Sequence, residues 1–123
     1  MNEVNQFCPF NILHVCDYHA DYHDLSPVLD YPGQIVNCSL NFPGGQRNGQ
    51  EIATLFGRPF MGGMQRKGVI ANGTPAEIQT EVQQALTQAP AKYILAADCT
   101  VPGDTLWGNL RTAIQTAHEF KTL

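Results

Sequence analysis

The chain has 123 residues, 43% of them hydrophobic and 15% charged, which suits one folded domain with a substantial core and excludes a disordered chain. Its net charge is −4 with only 7 Lys and Arg, so it offers no basic face for nucleic acid or for an anionic membrane. No apolar run approaches the roughly 20 residues needed to span a bilayer, and the opening MNEVNQFCPF lacks a basic-then-apolar leader. These features point to the cytoplasm, where Cys8, Cys16, Cys38 and Cys99, with no CxxC pair among them, read as thiols or metal ligands rather than disulfides.

In chain order, one pattern occurs four times: a short apolar strand, then an amphipathic segment. The first strand is FNILHVC (Phe10 to Cys16), followed by a helix through DYHDLSPVLDY that Pro27 makes short or late. The second is QIVNCSL (Gln34 to Leu40), followed by the Gly-rich loop FPGGQRNG and a helix in QEIATLFG. The third is PFMGG (Pro59 to Gly63), followed by the loop MQRKGVIANG and a helix from Thr74. That helix is the best specified, since Thr74, Pro75 and Glu77 supply an N-cap, a first-turn proline and a capping-box acid. Ile78, Val82, Ala85, Leu86 and Ala89 form its apolar face, and Pro90 stops it. The fourth strand is KYILAA (Lys92 to Ala97), then the loop DCTVPGDT. The last helix is expected to turn Leu106, Leu110, Ile114 and Ala117 inward, with Asp104 or Thr105 as its cap.

Four βα units imply an α/β fold with parallel strands and right-handed crossovers. Two architectures accommodate them: a small doubly wound sheet, or half of an eight-stranded barrel that typically needs about 250 residues. Both put their chemistry at the C-terminal ends of the strands. Those ends are polar here: His14, Cys16, Asp17 and His19; Asn37, Cys38 and Asn41; Gln65, Arg66 and Lys67; Asp98 and Cys99. The opposite turns, YPG, GRP and QAPAK, are bland.

Residues i and i+2 of a strand point to the same side, so His14 and Cys16 are either ordinary strand residues or two ligands of one ion. His19 and His23 are solvated residues or neighbours of a site. Cys38 fits an apolar core, Cys8 is incidental, and His118 suits the end of a helix dipole. Arg66 and Lys67 form a solvated basic turn or an anion-binding loop, with Arg66 the better fork for a carboxylate or phosphate. Asp98 can stand beside an ion or support its ligands.

LHVC, FMGGMQRKGVIANGTPAEIQTEVQQAL and YILAADCTVPGDTLWGNLRTAIQTAHEF resemble the C-terminal half of the uroporphyrinogen decarboxylase superfamily, across roughly Phe10 to Lys121. The resemblance implies a (βα)8 TIM barrel, of which residues 1–123, as a single partial-barrel domain, supply the last four units. One branch of that superfamily decarboxylates porphyrinogens in porphyrin biosynthesis without a cofactor, using an N-terminal arginine motif absent here and a histidine where Asp98 stands. The other branch transfers methyl groups from a corrinoid carrier to a thiol, with zinc held by His-x-Cys and a later Cys. HVC and DC match the second pattern, which implies zinc on His14, Cys16 and Cys99, substrate binding by Arg66 and Asp98, and a corrinoid methyl donor. The partners implied are a small-molecule substrate or a corrinoid protein. A non-catalytic half barrel that pairs with a second copy or an N-terminal-half chain is a further alternative.

Overall fold

A computed structural model describes residues 2–17 and 22–121. In chain order the elements are α1 (Asn2–Phe7), β1 (Ile12–Val15), a 3-10 turn (Ser26–Val28), β2 (Ile35–Cys38), β3 (Asn41–Phe42), β4 (Gly45–Gln46), α2 (Gly49–Phe56), β5 (Phe60–Met64), α3 (Val69–Asn72), α4 (Pro75–Thr87), β6 (Tyr93–Ala97) and α5 (Trp107–Glu119). The sheet order is β1-β2-β5-β6 and each neighbouring pair is parallel. The four strands of the expected βα pattern are therefore present. Their spatial order follows chain order, without the reversal that marks a doubly wound sheet.

Strand alternation divides the sheet into two faces. Leu13, Val36, Cys38 and Phe60 point to the side where Ile52 and Phe56 of α2 lie, and join Tyr22 and Leu25 in one core cluster. Met64 meets Ile78 and Val82 of α4, Ile70 of α3 and Ala113 of α5 in a second. Among the described residues, the connections between the parallel strands thus pack on one face. The other face carries Ile12 and His14 of β1, Asn37 of β2 and Ile94 of β6. It remains open to solvent at both edges, where Ile12 is 43% and Ile94 40% exposed.

Local chemistry explains the element boundaries. Thr74 caps α4 through a capping box with Glu77, and Pro75 opens the first turn. Asn48 and Glu51 make the same reciprocal box at the start of α2. Gly57 ends α2 in the left-handed conformation at φ 62°. Gly63, at φ 102°, lets β5 pass under the Tyr93 hydroxyl, which donates to the Gly62 carbonyl at 2.6 Å. Arg58 donates to the carbonyls of Tyr31, Gly33 and Leu29 at 2.8, 2.8 and 2.9 Å, fastening the turn before β2 to the end of α2.

Several expectations need correction. Among the described residues, DYHDLSPVLDY holds only the three-residue 3-10 turn, because Asp24 accepts from the Ser26 N–H and Pro27 breaks the helical ladder. FPGGQRNG includes all of a small antiparallel hairpin, β3–β4, except Asn41, and GVIAN contains the short helix α3. Leu110 and Ala117 of α5 pack partly buried on the second cluster as expected, but Asn109, Ala113 and Thr116 are its most buried residues, and Leu106 and Ile114 point outward at 67% and 58% exposure. The Asn109 side-chain amide donates to the Ile70 carbonyl at 3.1 Å, and small Ala113 and Thr116 allow close approach to α3 and α4. Neither Asp104 nor Thr105 caps α5. Leu106 occupies the N-cap without a side-chain bond, and the Thr105 hydroxyl is buried with no partner among the described residues.

Phe60 is fully buried and stacks on Tyr93 with ring centroids 5.9 Å apart. It joins the sheet to the α2 side of the core. Phe60→Ala is expected to cost about 3–5 kcal/mol by leaving a cavity, read as a lower denaturant midpoint with an unchanged slope.

Candidate metal centre

The open face bears the chemistry. β1 presents His14 and, just past its end, Cys16. β6 leads through Asp98 to Cys99. Although 83 residues apart in sequence, the Cys16 and Cys99 sulfurs stand 3.8 Å from each other. The ligand atoms of His14, Cys16 and Cys99 all lie within 4.8 Å of one another. β1 and β6 are the outer strands on opposite sides of the sheet, about 14 Å apart if it were flat. Parallel pairing sends both C-terminal ends the same way, and a curled sheet brings the two sulfurs together at 3.8 Å. One imidazole and two sulfurs are a donor set suited to a thiophilic cation.

The strand ends are held in place by buried polar bonds. The Tyr22 hydroxyl donates to the Val15 carbonyl at 2.5 Å and accepts from the Ser39 N–H at 3.0 Å, tying β1 to β2 beside Cys16. Burial drives the Tyr22 pKa well above that of an exposed phenol, so the hydroxyl keeps its proton and both bonds. Asn37 is 7% exposed in the middle of the sheet. Its amide nitrogen donates to the carbonyls of Met61 and Ala97 at 2.9 and 3.1 Å, and its Oδ1 lies 2.5 Å from His14 Nδ1.

The other candidate residues occupy different surroundings. Asp98 is buried and accepts from the Arg66 backbone N–H at 2.8 Å, so the two proposed substrate-binding positions meet through the backbone of Arg66. Asp98 also lines a cavity of about 410 Å³ between α2 and α4, with Arg47, Gln65, Glu81 and Tyr93. Glu81, half-buried there, has its pKa raised mainly by burial, and the Asp98 charge adds to the rise. Among the described residues, no carboxylate joins the His14, Cys16 and Cys99 group. Cys38 is fully buried in the core, as expected, and burial pushes its thiol up to about 12. Cys8, His23 and His118 are exposed and stand outside the group. His19 lies outside the described residues.

The grouping of His14, Cys16 and Cys99 was legible as a pattern, but the part played by Asn37 was not. Its signal is an amide between Val36 and Cys38 in a strand that is otherwise apolar, a position that disfavours Asn unless its polar atoms are satisfied. No family model matches the chain, and no curated protein matches it.

The four cysteines separate by surroundings into exposed Cys8 and Cys16, half-buried Cys99 and buried Cys38. A maleimide is expected to label all but Cys38 in the native, metal-free protein, because the thiolate is the reacting form. Adding a soft cation such as Cd2+ should protect Cys16 and Cys99 together and leave Cys8 reactive. Mass spectrometry of the labelled peptides reads the outcome; independent labelling of Cys16 and Cys99 under Cd2+ contradicts a shared ion.

Proposed function

We propose that the chain is a zinc-dependent, thiol-methylating member of the uroporphyrinogen decarboxylase superfamily, corresponding to the C-terminal half of its barrel. The observation that carries this reading is the meeting of His14, Cys16 and Cys99 on the open face of the sheet. Two sulfurs at about 2.3 Å from one tetrahedral zinc stand about 3.8 Å apart, and the separation found here is 3.8 Å. The donor set therefore fits zinc, with three protein ligands leaving one position for a substrate.

When bound, zinc supplies Lewis acidity that holds a substrate thiol as its thiolate near neutral pH. The chain's own part is to orient the imidazole and the two sulfurs through the Asn37 and Tyr22 contacts. A corrinoid carrier would supply the methyl group: the substrate sulfur would gain the bond to the methyl carbon as the carrier gave up that bond and kept its electron pair, with the thiol proton passing to solvent.

The one-sided helix layer and, among the described residues, the two strand edges without a further strand support a barrel completed by four further strands. These belong to the same polypeptide, to a second copy or to a separate N-terminal half. Porphyrinogen decarboxylation, which needs no metal, gives the three converging ligands no task and is the less supported activity.

The test is methyl transfer from methylcobalamin to a small thiol such as 2-mercaptoethanol, with zinc-loaded protein. The expected result is methylated thiol above the uncatalysed background, lost on chelation and reduced at least about 100-fold in Cys99→Ala, as removal of a ligand should do. Zinc-loaded, folded protein that leaves the background unchanged, or transfer indifferent to Cys99, contradicts the reading.

A further inference from the structure

Asn37 makes three contacts, and together they fix its orientation. Its side-chain nitrogen lies 2.9 Å from the Met61 carbonyl oxygen and 3.1 Å from that of Ala97. Carbonyl oxygens only accept hydrogen bonds, so the NH2 group must face them. Rotating the amide by half a turn would set its own oxygen against both carbonyls, and 7% exposure leaves little water to relieve that clash. Oδ1 is thereby committed to His14.

An amide oxygen is also only an acceptor. At 2.5 Å from it, His14 Nδ1 must carry the proton. In the neutral ring this leaves Nε2 as the single atom with a lone pair. The same side chain reaches the strand that leads to Cys99, since Ala97 is two residues before it. One buried amide therefore touches the imidazole of one ligand and the backbone beside another.

We infer that Asn37 is a positioning residue that locks His14 in the Nδ1–H tautomer and so assigns metal binding to Nε2. Metal-binding histidines commonly donate their second ring N–H to a carboxylate or a carbonyl, which fixes the ring and raises its basicity. Here the acceptor is an amide on the neighbouring strand, itself held by two further strands. The inference deepens the proposed zinc reading and rests on it for the metal; the tautomer stands on the hydrogen-bond network alone.

The closing experiment has two arms that fail separately. The first records long-range proton–nitrogen correlations of the 15N-labelled, metal-free protein at a pH of about 9, where an ordinary imidazole is neutral. His14 is expected to show a protonated, pyrrole-type Nδ1 and an unprotonated Nε2; a protonated Nε2 overturns the inference. The second arm titrates Co2+ and follows its sulfur-to-cobalt charge-transfer band in the wild type and Asn37→Leu, and records the His14 proton–nitrogen correlations of the same variant. Leucine removes the acceptor and should weaken Co2+ binding about 10–100-fold. The fixed Nδ1–H signal of His14 is expected to be lost with it. Weakened Co2+ binding with the Nδ1–H form of His14 unchanged means that Asn37 acts only as a tie between strands, which overturns the positioning role. A wild type that takes up no Co2+ sinks the metal reading, while the first arm still decides the tautomer.

Discussion

Parallel pairing governs this molecule. A chain that pairs its strands in parallel must cross back over the sheet after each one, and here, among the described residues, the returns lie on the same face. That single-sided layer buries Val36, Cys38 and Phe60 and leaves Ile12, His14 and Ile94 on the opposite side. It also brings all four strand ends to one edge. The meeting of His14 and Cys16 with Cys99, from opposite edges of the sheet, depends on that arrangement together with the curl that brings β1 and β6 close.

Polar bonds refine what the topology provides. Tyr22 joins the end of β1 to the residue after β2, and Asn37 joins β2 to β5 and β6. Both side chains place hydrogen-bonding groups in buried or half-buried surroundings, where leaving a partner unmade costs about 1–3 kcal/mol. The site therefore rests on a network that resists partial rearrangement. Cys16 and Cys99 are kept close but well beyond bonding distance, at 3.8 Å, which suits two sulfurs that share an ion.

The four strands were legible because each is a short apolar run between polar or glycine-rich turns. α4 was legible because Thr74, Pro75 and Glu77 mark its start and an apolar stripe follows. α5 was read correctly at Leu110 and Ala117, which pack on the core, but not at its margins, where hydrophobicity alone favoured Leu106 and Ile114 over Asn109 and Thr116. The Ile70 carbonyl gives the inward Asn109 amide a partner. The short helix α3 and the β3–β4 hairpin carry too few residues to leave a periodic signal. His14 and Cys16 were readable as a pair from strand alternation, and Cys99 from its place after the last strand. Asn37 acts across three strands, through partners 24 and 60 residues away, and no local spacing announces such a role.

The central claim is that His14, Cys16 and Cys99 hold one zinc ion together. X-ray absorption at the zinc edge of stoichiometrically loaded protein tests it most directly. The account predicts two sulfur neighbours at about 2.3 Å and one imidazole nitrogen at about 2.0–2.1 Å, with a light atom in the remaining position. A first shell of nitrogen and oxygen alone, or of one sulfur only, would contradict it.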